Sequence, residues 1–531
     1  MDKLGCLLCL CSWAVAADAS AGQEELLWSR AGVITPQARA LVSTLESADR
    51  YGLSAESYQA AELAAALAAD TAAQPTAAEL RRLDLALTGA ALAMVRHLHY
   101  GRIDPRAAGF DMPKRPPDID APAIVARLAS GADPGAALAA IEPGYLHYRL
   151  LRESLTRYRE LAAAPALPPL PPPPRRSVKP GEAYGGAPAL RRWLAANGDL
   201  SPEQAAHTEA ALDEELVAAL KRFQYLHGLA EDGALGSATM RALRVPFAQR
   251  VRQIELTLER WRWVPPLRPP TLIVNIPQFR LFLIHTAVDE EAAMLRMNVI
   301  VGRQFPRLHT PVFTADMTSV LFRPYWDVPP SIVRHELLAE LAKDPHYLEA
   351  HEMELIGGAV VESTATPENL AALAAGRLRL RQRPGPDNAL GLIKFDLPNR
   401  YDVYLHSTPA QRLFEEPRRA FSHGCIRVSD PVALAKEVLR GARGGEWTED
   451  RVRAAMNGET SLRVPLARPV HVLILYGTAI ATEDGAVHFL DDIYGQDRRL
   501  ERLLGLSPVP DTAGVHVHEV AARVVANAAA P

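Results

Sequence analysis

The sequence lacks an excess of either charge. It contains 58 Lys and Arg residues against 62 Asp and Glu residues, a formal net charge of −4, and it has no strongly basic block. This balance argues against a general nucleic-acid binder, whose phosphate contacts require a clear basic excess. With 33 Gly and 43 Pro, the chain is neither collagen-like nor wholly disordered, although it can form a stiff linker. Its 531 residues suggest roughly three or four domains.

Motifs for metal binding are also missing. The pairs His335-Glu336 and His351-Glu352 lack the second histidine of HExxH, and no CxxC occurs after residue 11. The residues left for a zinc peptidase are His406, His423, Cys425 and His471. We therefore expect no metal ion and no cofactor.

Cysteine is rare and unevenly placed. Three of the four cysteines fall within the first eleven residues, and Cys425 stands alone. Residues 1–17 resemble a secretory signal, with Lys3, a short apolar run and small residues suited to cleavage. The run is short for a bilayer span, although an uncleaved anchor is the alternative, and no later apolar run reaches the roughly 18 residues that a span needs. We expect a mature chain in an extracytoplasmic space that carries one unpaired thiol.

The pattern of the chain changes along its length and predicts an α+β multidomain protein. Residues 24–164 are Ala/Leu-rich with helical spacing, residues 165–180 form a proline-rich linker, and residues 184–245 form a compact helical module. Residues 251–497 alternate as strands do, apart from a polar, more helical stretch at 331–383. An insertion of that length indicates a lid or subdomain over a cleft. Residues 498–531 are predicted to be a tail.

The compact module has a recognisable pattern. Leu216, Leu220 and Phe223 share one helical face, and Asp232-Gly233 forms a turn, which together predict a three-helix bundle. The stretch resembles the peptidoglycan-binding type 1 domain, whose pattern FQxxHGLxxDGxxGxxT runs here from Phe223 to Thr239. The resemblance implies binding to the cell wall, with docking or packing as the alternative role. His227 is interpreted as a structural residue at the helix end.

The lone cysteine lies in a chemically suggestive context. Cys425 follows a Ser-His-Gly turn and precedes a predicted helix that Asp430 caps. A thiol becomes a nucleophile with the help of a nearby imidazole, and a buried, inert cysteine is the alternative. His406 ends a predicted strand, whereas His423 is two residues from the thiol and poorly placed to contact it. Geometry therefore favours His406 as the base, and Gly424 permits a sharp turn whose N–H groups face an oxyanion.

This region resembles the catalytic domain of the L,D-transpeptidases. The family pattern is a His, 14 to 17 residues, and then [Ser/Thr]-His-Gly-Cys with a hydrophobic residue. Here fifteen residues separate His406 from the run Ser422-His423-Gly424-Cys425-Ile426. The passage PYWDVPPSIV (324–333) and the order of the parts resemble the large Gram-negative members. The resemblance implies a β-sandwich-like catalytic domain with a capping insertion, joined to a helical scaffold and the wall-binding module.

The resemblance also implies catalytic roles. Cys425 would be the nucleophile and His406 the general base, and the backbone carbonyl of Ser407 would orient the imidazole. Main-chain N–H groups around His423, Gly424 and Cys425 would form the oxyanion hole.

Further residues would contact the substrate. The Tyr404 hydroxyl would be an added donor, and Arg427 would either steer a carboxylate of the donor stem or pair with an acidic core residue. Trp326 and Tyr325 would line the cleft, with a place in the core as the alternative.

The implied reaction has two steps. Cys425 attacks the carbonyl of the third residue of a tetrapeptide stem and releases D-Ala, and an acceptor amine then resolves the thioester into a 3→3 cross-link. Carbapenems would acylate the same thiol. An L,D-carboxypeptidase, an enzyme that attaches protein to the wall, and a non-catalytic wall-binding scaffold remain open. A papain-like peptidase usually has Cys before His in the chain. The expected partners are peptidoglycan stem peptides and penicillin-binding proteins or D,D-carboxypeptidases that supply tetrapeptides, and the expected state is a monomer.

Overall fold

The computed structural model describes residues 26–69, 75–113, 115, 118–285, 294–358 and 360–509. The predicted signal segment at 1–17 and most of the predicted tail lie outside these residues. The chain folds as two compact units, of which the first takes residues 1–47, 55–95 and 120–138 as far as they are described, and the second takes the rest.

The first unit is helical, as the Ala/Leu spacing predicts. Its elements are β1 Ser29–Arg30, β2 Val33–Ile34, α1 Pro36–Glu46, α2 Ala60–Ala69, α3 Ala77–Tyr100 up to residue 95, α4 Ala121–Ala129 and the start of α5 Pro134–Ala139. The side chains of Thr35 and Asp120 cap α1 and α4 by accepting backbone N–H bonds from the first helical turn. Buried Trp28 fixes the start of the unit, because its indole N–H donates to Thr88 Oγ1 at 2.9 Å.

In the second unit, a small module follows the long helix α6 Leu146–Ala163. The elements of the module are β3 Ser177–Val178, α7 Ala187–Asn197, α8 Pro202–Ala205, α9 Glu214–Leu226, β4 Leu235–Gly236 and α10 Ser237–Leu243. It therefore has a fourth, short helix and a two-stranded pairing in addition to the three predicted helices. His227 is buried at the end of α9, where its Nδ1 lies 2.8 Å from the Phe223 carbonyl oxygen.

The proline-rich stretch is part of this module rather than a free spacer. Leu170 is buried in the core of the module. The Trp193 indole donates to Pro168 O at 2.8 Å, and the Tyr184 hydroxyl donates to Pro171 O at 2.7 Å. Proline residues present carbonyls without N–H groups, so neighbouring donors can bind the extended segment from one side. Residues that precede the predicted boundary at 184 therefore also pack against the module.

The β-rich region is a single sheet that closes on itself, not the predicted sandwich. Its strands are β5 Thr271–Asn275, β6 Arg280–Ile284, β7 Leu295–Gly302, β8 Phe313–Phe322, β13 Ile393–Asp396, β14 Leu405–His406, β15 Ala420–Ser422, β16 Ile426–Val428 and β17 Leu462–Leu475. They are ordered β15-β7-β16-β14-β13-β8-β17-β5-β6, and β6 also pairs with β7. This last pairing turns the sheet into a barrel, because the long β7 has partners along both edges.

An inserted subdomain interrupts the barrel between β8 and β13. Its elements are β9 Trp326–Asp327, α12 Pro330–Ile332, a π-helical turn Val333–Leu337, α13 Leu338–Lys343, α14 Tyr347–Ala350, β10 Met353–Gly357, β11 Val360–Glu362, α15 Pro367–Ala374 and β12 Arg379–Gln382. It has a four-stranded sheet and a small core of its own. The predicted bounds of the insertion, 331–383, leave out strand β9 at the start of this subdomain.

The remaining elements pack around the barrel. They are α11 Phe247–Trp263, α16 Pro431–Val438, α17 Glu449–Met456, β18 Ala479–Ala481, β19 Val487–Phe489 and α18 Gln496–Leu503. The predicted cap of α16 is confirmed, since Asp430 accepts from Ala433 N. The predicted tail boundary at 498 cuts α18, whose Leu500 is buried in the barrel core and whose Asp497 pairs with Arg260 at 2.5 Å.

No helix within the described ranges combines the length and the apolar character that crossing a membrane requires.

Candidate active site

Two neighbouring strands bring the predicted nucleophile and base to one face of the barrel. β14 runs parallel to β16, with His406 opposite Arg427. Cys425 immediately precedes β16, two residues before Arg427. Because side chains alternate along a strand, Cys425 and Arg427 point to the side on which His406 lies. All three line one cleft of about 1920 Å³.

A tight turn holds the cysteine. Ser422 Oγ donates to the Cys425 carbonyl at 2.5 Å and accepts from Gly424 N at 3.1 Å. Gly424 has a φ of +123°, a conformation that L side chains rarely adopt. The Gly424 carbonyl in turn accepts from Thr310 Oγ1 at 2.7 Å. The Ser-His-Gly sequence is thus explained by the geometry of the turn.

Thr310 is itself fastened to a more distant part of the chain. The Tyr494 hydroxyl donates to Gly302 O at 2.6 Å and accepts from Thr310 N at 3.3 Å. Tyr494 also stacks on His309, with ring centroids 3.9 Å apart. A residue next to α18 therefore supports the nucleophile turn through Thr310.

The turn differs from the predicted oxyanion hole at one position. The Gly424 N–H is occupied by Ser422 Oγ and does not face the cleft as a free donor. Within the described residues, the N–H groups of His423 and Cys425 have no hydrogen-bond partner. These two are the main-chain donors that an oxyanion in the cleft can use.

The thiol is protonated at neutral pH. Burial raises the pKa of Cys425, while a hydrogen bond from the Tyr404 hydroxyl and the charges of Lys394 and Arg427 act in the opposite direction. The Sγ atom also lies 3.6 Å from the Asp402 carbonyl oxygen, which suits a thiol and not a thiolate. Asp402 adopts a left-handed φ of +53° to bring its carbonyl there.

The imidazole is neutral and fixed in one orientation. His406 is buried, and its Nδ1 lies 2.6 Å from the Ser407 carbonyl oxygen. Burial, followed by the nearby Arg427 charge, lowers the pKa of His406 to about 3. Because a carbonyl only accepts, the proton resides on Nδ1 and the Nε2 lone pair remains available as a base.

A second layer of contacts fixes Ser407. Its Oγ accepts from the backbone N–H of Leu392 at 2.8 Å and of Ile393 at 3.1 Å. Gly391 has a φ of +60°, and a Cβ there would lie 2.2 Å from Ser407 Oγ. The position therefore requires glycine.

The resting thiol and imidazole are neighbours without a mutual hydrogen bond. Among the described residues, the hydrogen bonds of Sγ involve Asp402 and Tyr404, not His406. In this resting arrangement the thiol and the imidazole are both neutral.

The comparisons with known proteins agree with this geometry. Residues 269–453 match the model of the "L,D-transpeptidase catalytic domain". This domain belongs to the L,D-transpeptidase family. Residues 186–243 match the "Putative peptidoglycan binding domain" and residues 20–155 the "Scaffold domain". The three matches are consistent with the predicted α+β multidomain protein that includes a peptidoglycan-binding module.

A curated relative supports the same family. The chain is 29% identical over 284 residues to a Haemophilus influenzae protein named "Putative L,D-transpeptidase". The match covers 52% of this chain and 55% of the relative, so the chain spans about half the length of the protein that it matches.

Arg427 is an unpaired cation in the cleft of the L,D-transpeptidase domain. No described carboxylate forms an ion pair with it, so the alternative of an acidic core partner is not supported. Its Nε is buried without a hydrogen-bond partner. Burial lowers its pKa, as does the charge of Arg303. The guanidinium is therefore a ready site for a substrate carboxylate.

Sequence reasoning missed Lys394 of the L,D-transpeptidase domain. This residue lies opposite His406 in the β13–β14 pairing. Its Nζ sits 4.2 Å from the centre of the Tyr404 ring and 3.2 Å from Asp396 Oδ1. Its charge contributes to the pKa shifts of both Cys425 and His406. Nothing in the local sequence signals this role, because the pairing joins distant segments.

The inserted subdomain contributes several side chains to the cleft. Glu336 Oε1, in the π-helical turn, lies 2.7 Å from His423 Nε2. Trp326 lines the cleft and hydrogen-bonds to the Tyr404 hydroxyl. Tyr325 also lines the cleft, where it is 41% exposed and its ring centre lies 4.1 Å from the Arg381 guanidinium carbon. Glu336 was not predicted, although a π-helical turn often marks a functional position.

Proposed function

We propose that this protein is a murein L,D-transpeptidase that forms a Cys425 thioester with a tetrapeptide stem, releases D-Ala and makes 3→3 cross-links. The observation that supports this most is the neutral, Ser407-oriented His406 on the strand beside Cys425, at the floor of the cleft. A general base with a free Nε2 next to a protonated thiol is the arrangement that acyl transfer by cysteine requires.

The steps balance without a cofactor. As Sγ attacks the carbonyl carbon of the third stem residue, His406 Nε2 takes the thiol proton. The N–H groups of His423 and Cys425 stabilise the oxyanion. When the tetrahedral intermediate collapses, the C–N bond to D-Ala breaks and His406 returns the proton to the leaving amine. The acceptor amine then attacks the thioester, loses a proton to His406, and regenerates the thiol.

The cleft fits a branched peptide substrate. Its volume of about 1920 Å³ exceeds that of usual small-molecule pockets, and the inserted subdomain forms one wall. We assign this subdomain the role of a cap. Arg427 binds a carboxylate of the donor stem, and Tyr404 adds a donor beside the thiol. The wall-binding module holds the enzyme on its polymeric substrate.

This function places the mature protein in the periplasm, where the wall is assembled. It acts there as a monomer on stems from which penicillin-binding proteins or D,D-carboxypeptidases have already removed the fifth residue. The step needs no ATP, since the energy of the donor peptide bond is conserved in the thioester. The predicted signal segment at 1–17 supports export.

The test is intact mass spectrometry of the full chain and its Cys425→Ala variant, each incubated with meropenem and, separately, with disaccharide-tetrapeptide. We expect a stoichiometric adduct on the unsubstituted protein only, and a dimer that lacks one D-Ala. Tripeptide without dimer would instead identify an L,D-carboxypeptidase. The absence of any adduct would contradict the nucleophile and favour a non-catalytic scaffold.

A further inference from the structure

A second cavity lies apart from the catalytic cleft, where the wall-binding module meets the barrel. It has a volume of about 260 Å³ and shares only Phe110 and Val312 with the cleft among the described residues. Helix α9 of the module contributes Tyr225, helix α6 contributes His147, and helix α11 contributes Trp261. The remaining wall is the outer face of β5, β6 and β7 together with β18 and β19.

Charge in this cavity has one sign. Arg260, Arg280 and Arg296 line it, whereas no carboxylate of the described residues does. Arg280 and Arg296 make no ion pair within the described part of the chain. The two lie close together on one side of the sheet, since Arg280 is two residues before Phe282 and Arg296 pairs directly with Phe282.

Arg260 supplies a buried and incompletely satisfied donor. The residue is 6% exposed, and its Nη1 pairs with Asp497 at 2.5 Å. Its Nε and Nη2 are buried without a hydrogen-bond partner. Buried donors are rarely left unpaired, so these atoms indicate an acceptor that a ligand would provide.

Aromatic surfaces flank the three arginines. Tyr225 is 44% exposed at the cavity and packs edge-on against His488, with ring centroids 5.0 Å apart. Trp261 stacks with His147 at 6.4 Å. Burial and the Arg280 charge lower the pKa of His488 to about 4, so this ring is neutral and does not add charge. The cavity thus combines flat apolar faces with fixed guanidinium groups.

We propose that this cavity binds a carboxylate-bearing unit of peptidoglycan, one acidic sugar or stem residue of a strand other than the one in the cleft. Guanidinium groups bind carboxylates through paired N–H bonds, and aromatic faces pack against pyranose rings. The volume suits a single such unit with the rest of the fragment outside. The identity of the ligand rests on the proposed function, because the module that contributes Tyr225 matches a peptidoglycan-binding domain.

Methionine methyl groups report on the two sites separately. Met112 and Met294 line the cavity, and Met353 lines the catalytic cleft. The experiment titrates disaccharide-tetrapeptide into full-length Cys425→Ala protein labelled with ¹³C at the methionine methyl groups, assigned by Met→Leu substitution. We expect the Met112 and Met294 signals to shift in a saturable way. Chitobiose, a neutral disaccharide of similar size, is expected to shift neither.

Substitutions then test the arginines. Arg280→Gln combined with Arg296→Gln should weaken the binding seen at Met112 and Met294 at least tenfold and leave the Met353 response unchanged. Tyr225→Ser, on the exposed rim of the cavity, should weaken the same binding several-fold. This variant replaces the double variant in the test if the latter loses thermal stability. Arg241→Gln, exposed on helix α10 of the same module and outside the cavity, is the matched control.

Each outcome decides one question. The cavity proposal would be overturned if the Met112 and Met294 signals do not shift, if chitobiose shifts them equally, or if the shifts persist in the double variant. Shifts at Met112 and Met294 with a silent Met353 would support the cavity while contradicting the proposed function of the cleft.

Discussion

The barrel and the inserted subdomain hold their parts of the active site in different ways. The barrel fixes Cys425 and His406 on adjacent strands, with buried main-chain and hydroxyl contacts behind each one. The subdomain reaches the site through side chains of short elements, such as Glu336 in its π-helical turn. The barrel therefore holds the proposed nucleophile and base in place, whereas the subdomain contributes contacts from the side chains of short elements.

The largest expected effect comes from removing the base. His406→Gln should lower kcat for dimer formation by about a thousandfold or more, because the thiol is protonated and has no other base on its face of the barrel. Steady-state assay of muropeptide dimers measures this effect. His471→Gln, which removes a histidine that pairs with Asp316 on another strand of the barrel, is expected to leave the rate unchanged. Equal losses in the two variants would refute the assignment.

Glycine substitutions test how crowded the two regions are. Gly391→Ala in the barrel would place a Cβ 2.2 Å from Ser407 Oγ at a φ of +60°. Gly376→Ala in the subdomain meets no atom within 4 Å at a φ of +70°. Gly376→Ala should lower the free energy of unfolding by about 1–2 kcal/mol, which is the cost of a left-handed φ for an L residue. Gly391→Ala should lower it by more and should also misorient His406. Urea unfolding of both variants measures the difference, and similar losses would contradict the rigid-barrel view.

Tyr404→Phe has a smaller effect that concerns the thiol. The Tyr404 hydroxyl bond favours the thiolate, so its removal should raise the pKa of Cys425 still further. We expect iodoacetamide alkylation at pH 8 to slow several-fold, measured as a pH profile of the alkylation rate. The control is Tyr401→Phe. Tyr401 lies in the same segment as Tyr404, and its ring packs against Phe313 on strand β8. A faster reaction in Tyr404→Phe would show that the hydroxyl bond is absent.

The subdomain contact should matter less than the barrel contacts. Glu336→Ala removes the partner of His423 and should reduce kcat/KM by about two- to tenfold, because it loosens one residue of the oxyanion turn without altering Cys425 or His406. Glu336→Gln keeps a hydrogen-bonding group and should recover part of the loss. Glu340→Ala, which alters a carboxylate paired only with Lys343, controls for surface charge. A loss as large as that of His406→Gln would place Glu336 in the chemistry itself.

The smallest expected effect is that of mild acid. Because the pKa of His406 is lowered to about 3, the base becomes protonated only near that pH and not near the ordinary 6.5. The kcat/KM profile should therefore show no loss of activity from protonation of His406 between about pH 5 and 8. A limb with a midpoint near 6.5 would mean that the imidazole is solvated or carries charge in the working enzyme.

Local sequence was enough to single out the candidate residues that the structure brings together in the cleft. The spacing between His406 and Cys425, the glycine before the thiol and the helix cap at Asp430 are short-range features, and the structure places them as one group. The contact of His406 with the Ser407 carbonyl was implied by the family resemblance, and in the structure that oxygen lies 2.6 Å from the imidazole Nδ1.

Long-range pairings could not be predicted in this way. Lys394 is placed by strand register and Glu336 by the fold of the insertion, and neither leaves a local pattern. The closure of the sheet depends on whether β6 pairs with β7, which hydrophobic alternation does not specify. The packing of the proline-rich stretch is also set by long-range contacts, since the Pro168 carbonyl accepts from Trp193 on a separate helix.

The hydrogen bonds that join Tyr494 and Thr310 to the turn around Cys425 limit where an expression fragment of the chain can end. The match to the catalytic domain ends at residue 453, yet the central strand β17 and Tyr494 come later in the chain. An expression fragment that stops at the family boundary would lose a strand between β8 and β5 and the support of Thr310. A minimal recombinant version of this domain must therefore extend through helix α18.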